Sequence, residues 1–165
     1  MKRESKKPRG RPRSFDTDQV LDAAVQVFWS KGYDGASLDG LTRAMGINRP
    51  SLYAEFGSKH GLFLAALDRY FATHSARQSL PLIEEPDVRN AVEGYYHEIV
   101  RSVTSADHPS GCLIASVATE ISERDSIVRK KVSDLLAQAE NLLDSRLAAA
   151  GYGPQEDGRA PKVTG

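Results

Sequence analysis

The chain of 165 residues contains one cysteine, one tryptophan and no long apolar run. Because Cys112 is the single cysteine, a disulfide within the chain is excluded, and such sparse cysteine is typical of a reducing compartment. No segment approaches the roughly 18 consecutive apolar residues of a membrane helix, and the charged N-terminus lacks the apolar stretch of a secretion signal. We therefore expect a cytoplasmic protein with no membrane partner.

Sequence signatures of catalysis and of metal binding are also missing. The four histidines are scattered without ligand spacing, at His60, His74, His97 and His108. There is no phosphate-binding glycine loop, no nucleophile-elbow motif and no pair of cysteines. We therefore expect no enzyme activity, no catalytic residue, no metal and no cofactor. We interpret Cys112 as a buried residue in preference to a redox sensor.

Charge is unevenly distributed, although 22 basic and 22 acidic residues give a net charge of zero. The first 15 residues carry seven basic side chains against one acid, a formal charge of +6. A short basic arm without periodic apolar residues predicts disorder over residues 1–14 and salt-dependent attraction to phosphates. Its Pro8-Arg9-Gly10-Arg11-Pro12 segment resembles an AT-hook core, whose arginines fit the narrow minor groove of A·T-rich DNA. The candidate contacts are Arg9, Arg11 and Arg13, and the alternative is a solubilising tail.

Residues 37–59 predict two short helices that are joined by a glycine turn and followed by a third helix start. Ser37 is a good N-cap, and apolar side chains follow at helical spacing, namely Leu38, Leu41, Ala44 and Met45. Gly46 suits the left-handed conformation that ends a helix, and Asn48 can cap the next one. Leu52 and Phe56 lie four residues apart and are expected to face inward. The pattern favours a DNA-binding helix-turn-helix, with plain helical packing as the alternative.

The rest of the chain is predicted to be helical, without alternating strand patterns, so the fold class is all-α. Apolar stripes predict helices over residues 15–31, 58–76, 87–106 and 112–120, with a loop at 108–111. Two prolines within residues 79–86 are expected to break the helix that begins at residue 58. Ser122 and Asp125 have the spacing of a capping box that opens a last long helix, striped as far as Leu147.

The order of these elements and several short words resemble the DNA-binding domain of the TetR (tetracycline repressor) family of bacterial transcription regulators. The words are Phe28-Trp29 with Gly32-Tyr33, Ala44-Met45-Gly46-Ile47, Ser51-Leu52-Tyr53 and Phe56-Gly57-Ser58-Lys59. The resemblance covers residues 11 to about 72. It implies a three-helix helix-turn-helix domain over residues 15–60, followed by a helical ligand and dimerisation domain over residues 61–150.

The resemblance also implies double-stranded DNA as the partner, with the third helix in the major groove. The implied contacts to bases and phosphates are at Ser37, Arg43, Asn48, Arg49, Pro50, Ser51, Tyr53 and Lys59. Arg49 or Arg43 could make a bidentate contact to guanine, which is worth roughly 1–3 kcal/mol of base discrimination. Lysine contacts to phosphate add affinity without sequence preference.

In this family the second domain encloses a small-molecule pocket. The candidates to line one here are Tyr70, His74, Tyr95, Tyr96, Cys112 and Thr119, although aromatic residues at helical spacing are more often core residues. The resemblance thus implies a sequence-specific transcriptional regulator, which we interpret as a repressor, released or modulated by a small-molecule effector. The alternative is a monomeric or architectural DNA-binding protein without ligand control.

The C-terminal end departs from the family pattern. Family members continue with two more helices that pair with those of a second subunit, and we expect these last two helices to be lacking here. Residues 151–165 are instead polar, rich in glycine and proline and without an apolar stripe, which predicts a disordered tail. The resemblance implies a homodimer, but the residues leave three alternatives open. The chain is truncated, its reading frame is changed, or it pairs through the helix from Leu135 to Leu147.

Overall fold

The structure, a computed structural model, describes residues 16–152, without the side chains of residues 118 and 119. All regular secondary structure in this range is helical, which confirms the all-α prediction. The α-helices are α1 (Thr17–Gly35), α2 (Leu38–Met45), α3 (Arg49–Phe56), α4 (Lys59–Tyr70), α5 (Ala76–Glu84), α6 (Val88–Thr104), α7 (Leu113–Glu120) and α8 (Ser126–Ala149). The predicted arm over residues 1–14, with Arg9, Arg11 and Arg13, and residues 153–165 of the predicted tail lie outside the described range.

The first four helices share one apolar core. Phe28 of α1 packs edge-on against Phe63 of α4 with ring centroids 4.8 Å apart, and Leu41 of α2 and Leu52 of α3 are buried in the same core. Near its end α1 is interrupted at Gly32, whose φ of 69° and ψ of 178° belong to a region that essentially only glycine adopts. The sequence predicted the helix to end at this glycine.

The prediction of a helix break within residues 79–86 was right for the second proline and wrong for the first, because the helix continues past Pro81 and ends at Glu84, just before Pro86. After α4 a π-helical turn, Phe71–Ser75, leads directly into α5, and Pro81 lies inside α5. A proline inside a helix costs about 3 kcal/mol because it removes a backbone hydrogen bond. Here the proline packs on α6 at Gly94, where an added Cβ would lie 2.9 Å from Pro81 Cβ. Close packing of α5 against α6 therefore offsets the lost hydrogen bond.

The predicted capping box before the last helix was also wrong. Asp125 itself caps α8, since its carboxylate accepts hydrogen bonds from the Ile127 and Val128 N–H groups, each at 3.0 Å. Among residues 16–152, the buried Ser122 hydroxyl has no hydrogen-bond partner. The helix begins after Asp125 because this carboxylate satisfies two free N–H groups at once. Between residues 16 and 152, no helix combines the length and apolar character that crossing a membrane requires.

Candidate nucleic-acid interface

The turn between α2 and α3 depends on a left-handed glycine. Gly46 has φ 64° and ψ 23°, and its N–H donates to carbonyl groups of the last turn of α2. The Ile47 N–H donates to the Thr42 carbonyl at 3.1 Å. These bonds satisfy carbonyls at the helix end and turn the chain sharply into α3. An added Cβ at Gly46 would meet nothing within 4 Å, so glycine is needed here for its φ angle and not for space.

Helix α3 is anchored on one face and exposed on the other. Its N-cap is Asn48, whose Oδ1 accepts a hydrogen bond from the Ser51 N–H at 2.9 Å. Pro50 occupies the first turn, where no intrahelical N–H bond is lost. Leu52 is fully buried, whereas Tyr53 is 46% exposed. A short helix held by its inner leucine thus presents an aromatic ring to the solvent.

Arg49, on the exposed side of α3, is held by a carboxylate of α2. Its Nε and Nη2 both donate to Asp39 Oδ1, at 3.2 and 2.7 Å. Both side chains are largely exposed, and exposed ion pairs contribute only about 0–1 kcal/mol. The pair therefore orients the guanidinium without locking it. The sequence does not signal this role for Asp39, because the two residues come together only when α2 and α3 pack.

The predicted phosphate contacts lie at or near helix starts. Ser37 Oγ accepts from the Gly40 N–H at 3.1 Å and so caps α2. Lys59, at the start of α4, has its Nζ 4.5 Å from the centroid of the Tyr33 ring. This cation–π contact gives the ammonium a fixed place beside a helix N-terminus, which itself attracts anions. Arg43 is exposed near the end of α2.

The candidate ligand-binding residues fall into separate groups. Tyr70, His74 and Cys112 come together, since the Tyr70 ring stacks on His74 at 4.9 Å and its hydroxyl donates to Cys112 Sγ at 3.5 Å. Tyr95 and Tyr96 on α6 contact each other at 5.5 Å, and Tyr96 is exposed. Thr119 belongs to α7, but its side chain lies outside the described part of the structure.

Two residues that the sequence analysis did not select complete the group around Tyr70. His108 stacks on Trp29 with ring centroids 4.4 Å apart, and Trp29 makes edge-on contacts to Tyr70 at 4.9 Å and to His74 at 5.0 Å. We call Trp29, Tyr70, His74 and His108 the ring cluster. Burial raises the pKa of Tyr70 and lowers the pKa of His74. No sequence signal links these rings, since they come from α1, α4, the π-helical turn and a loop.

A second cluster joins the first four helices to the rest of the fold, and we call it the junction. The Glu120 carboxylate accepts hydrogen bonds from the Tyr33 N–H at 3.0 Å and the Asp34 N–H at 2.8 Å. Arg124 forms an ion pair with Asp34. These contacts fix the corner between α7 and α8 against the end of α1.

A further contact to the α7–α8 corner comes from the start of α4. The His60 ring lies 2.8 Å from Asp125, the cap of α8. In residues 16–152 there is no group of three or more side chains arranged to hold a metal ion.

Comparisons with protein families match both halves of the chain. A model described as bacterial regulatory proteins, tetR family, matches residues 20–66. A model of the C-terminal domain of LmrA/YxaF-like transcriptional regulators matches residues 89–162.

Individual relatives agree with these matches. The HTH-type transcriptional repressor ComR of Escherichia coli (strain K12) is 39% identical over 86% of this chain and 68% of its own length. The repressor BdcR of the same strain is 36% identical over 68% of this chain and 57% of its own length. A solved structure of the regulator CifR, a cysteine mutant complexed with 26-bp operator DNA, superposes with a TM-score of 0.75. It is 40% identical in sequence and covers 84% of this chain and 73% of the CifR chain.

Proposed function

The chain belongs to the TetR family of bacterial regulatory proteins, and from that premise we propose that it is a sequence-specific DNA-binding repressor controlled by a small molecule. Two of its relatives are named as repressors, and a CifR structure contains operator DNA. This chain spans 68% of ComR and 57% of BdcR. Because the matches cover only part of each repressor, repressor activity is proposed for this chain and is not taken over from its relatives.

The observation that carries the proposal is the arrangement of α3. A helix that is buried at Leu52 and exposed at Arg49 and Tyr53 fits the major groove of B-DNA, which is about 12 Å wide and admits an α-helix. In the proposal, Asn48, Pro50 and Ser51 lie beside the bases and backbone at the helix start. Arg49 has N–H groups left to donate to guanine while Asp39 holds one side of its guanidinium.

The remaining contacts of the proposal go to the DNA backbone and hold the protein in register. Lys59 and the start of α4 approach a phosphate from one side of α3, and Ser37 approaches a phosphate from the other side, with Arg43 near the groove edge. Phosphate contacts carry no sequence information but fix the orientation of the recognition helix. Arg9, Arg11 and Arg13 of the arm add minor-groove contacts.

The same proposal includes a dimer, in which two chains bind the DNA together. Two-fold pairing would place two recognition helices about 34–36 Å apart on one side of the duplex. Leu135 of the predicted pairing helix is buried within the subunit, whereas Leu136 is 53% exposed. If this helix pairs, its contact face must therefore include Leu136 and exclude Leu135. Light scattering at micromolar concentration tests the pairing, and a strict monomer would contradict it.

Selection of binding sites from random duplex DNA tests the main proposal. We expect an enriched sequence, and Tyr53→Ala or Arg49→Ala should weaken binding to it by about 5- to 100-fold, as expected for lost base contacts. Both variants should change binding to unrelated duplex much less. Lys130→Ala, an exposed change on α8, is the matched control and should leave both affinities unchanged. Equal losses on both DNAs, or no enriched sequence, would favour an architectural DNA-binding role instead.

A further inference from the structure

A cleft of about 210 Å³ opens between the π-helical turn, α5, α6 and the loop before α7. Its walls include His74, Arg77, Glu98, Arg101 and His108. The π-helical turn that carries His74 is itself informative, because such turns are rare and frequently occur at functional sites. The volume lies below the roughly 300–1,000 Å³ of pockets for drug-sized ligands. The cleft therefore suits a ligand with a single ring.

One wall of this cleft is aromatic. His74 and His108 line it, and Trp29 stacks on His108 from behind at 4.4 Å. Burial lowers the pKa of His74, and the neighbouring His108 adds to this effect, so at neutral pH its ring is uncharged and can stack. Trp29 is only 7% exposed, yet its Nε1–H group has no acceptor within the described part of the chain. Buried donors are rarely left unpaired, and the Trp29 side chain stacks on His108, which lines the cleft.

Arg77 supplies the unpaired positive charge of the cleft. Arg101 already donates to Glu98, and the Asp107 carboxylate, which also lines the cleft, accepts a hydrogen bond from the Ser105 hydroxyl. Arg77 has no ion-pair or hydrogen-bond partner among the residues that the structure describes. A planar guanidinium next to aromatic rings recognises a carboxylate through two parallel hydrogen bonds.

From this geometry we propose that the effector is a small planar aromatic acid, bound as its anion with its ring against His74 and His108 and its carboxylate on Arg77. The proposal rests on the ligand control proposed above and names the chemical class of that ligand. Loop residues 105–110 precede Gly111, whose φ of 84° marks the point where the chain turns toward α7. Movement of this loop would carry His108 away from Trp29.

Tryptophan fluorescence tests the proposal directly, because Trp29 is the single tryptophan of the chain. Benzoate and nicotinate are the probes, and cyclohexanecarboxylate and benzyl alcohol separate the contributions of charge and ring. We expect benzoate or nicotinate to change Trp29 emission in a saturable way, with at least tenfold weaker binding of the two comparison compounds. Calorimetry on the same samples checks the stoichiometry.

Two variants assign the contacts. Arg77→Gln should weaken benzoate binding at least tenfold, whereas Arg89→Gln, an exposed arginine of α6, should not change it. His108→Ala should reduce the preference for benzoate over cyclohexanecarboxylate. Circular dichroism checks that each variant is folded.

Three results would overturn the proposal. They are no saturable response to benzoate or nicotinate, equal binding of cyclohexanecarboxylate, and an unchanged benzoate affinity in Arg77→Gln. Sequence-specific DNA binding is measured separately without any probe. If that binding is intact and the aromatic acids fail, the effector class alone is wrong, whereas loss of DNA specificity contradicts the proposed function.

Discussion

Replacing Gly32 by alanine tests how the DNA-binding helices are joined to the rest of the fold. At φ 69° and ψ 178° the residue lies in a region that alanine hardly populates, which costs about 1–3 kcal/mol. The added Cβ would also lie 2.4 Å from Glu120 Oε2. A flexible carboxylate can move away, but it then loses its hydrogen bonds to the Tyr33 and Asp34 N–H groups.

The cost of losing those two hydrogen bonds can be bounded. A hydrogen bond to a charged group is worth about 1.5–3 kcal/mol, but Asp34 is exposed, so we take about 1–2 kcal/mol for the pair. Together with the backbone strain, Gly32→Ala should lower the free energy of unfolding by about 2–5 kcal/mol. Glu120→Ala alone should lower it by about 1–2 kcal/mol.

A double-mutant cycle followed by urea denaturation separates the two contributions. In the Glu120→Ala background, Gly32→Ala should cost only the backbone strain, so the double variant is more stable than the sum of the single changes predicts, by about 1–2 kcal/mol. Gly35→Ala is the matched control, because its Cβ would meet only Lys31 Cβ at an ordinary 3.5 Å. Strict additivity of Gly32→Ala and Glu120→Ala would refute the role of the carboxylate, and a large effect of Gly35→Ala would refute the local account of strain.

Two further predictions concern salt and pH. The logarithm of the affinity for duplex DNA should fall linearly with the logarithm of the salt concentration, and Lys59→Gln should reduce the steepness of that slope by about 1. Fluorescence anisotropy measures the affinity at each salt concentration. An affinity that does not depend on salt would contradict the proposed phosphate contacts. The hydrogen bond from the Val128 N–H lowers the pKa of Asp125, and the interaction with His60 lowers this pKa further. The ionised carboxylate therefore stabilises the folded protein at a pH above the unfolded pKa near 4. This stabilisation is lost as the pH falls through the lower pKa of the folded state. Asp125→Asn keeps a capping side chain but removes the carboxylate, so the variant should lose less stability on acidification than the original protein does. Denaturation measured between about pH 6 and pH 3 tests this prediction.

Local chemistry explains why much of the fold could be predicted from the sequence. Ser37 and Asn48 each cap the helix that the sequence predicted them to cap. Gly46 adopts the left-handed conformation because a helix end requires it at that position. Helix caps and helix ends depend on residues only a few positions apart, so the local sequence is enough to predict them.

Features that depend on tertiary packing could not be predicted in this way. Pro81 continues a helix because Gly94, on another helix, leaves room for its ring. Asp39 reaches Arg49 only after α2 and α3 have packed. Of the candidate ligand-binding residues, Tyr70 and His74 come together against Trp29 and His108, and neither of these two partners has a sequence neighbour that signals the contact. Helical periodicity places a residue on a face, but it does not say what will lie opposite.

Helix α1 connects the proposed effector cleft to the DNA-binding helices. Trp29, which contacts the cleft wall through His108, lies in the last turn before Gly32, where the Glu120 contacts begin. A ligand shifts a conformational equilibrium only by its difference in affinity between the two states. An aromatic acid that draws His108 away from Trp29 would change the packing at the end of α1. Since Tyr33 lies under Lys59 at the start of α4, such a change would act directly on the phosphate contact that we propose for Lys59.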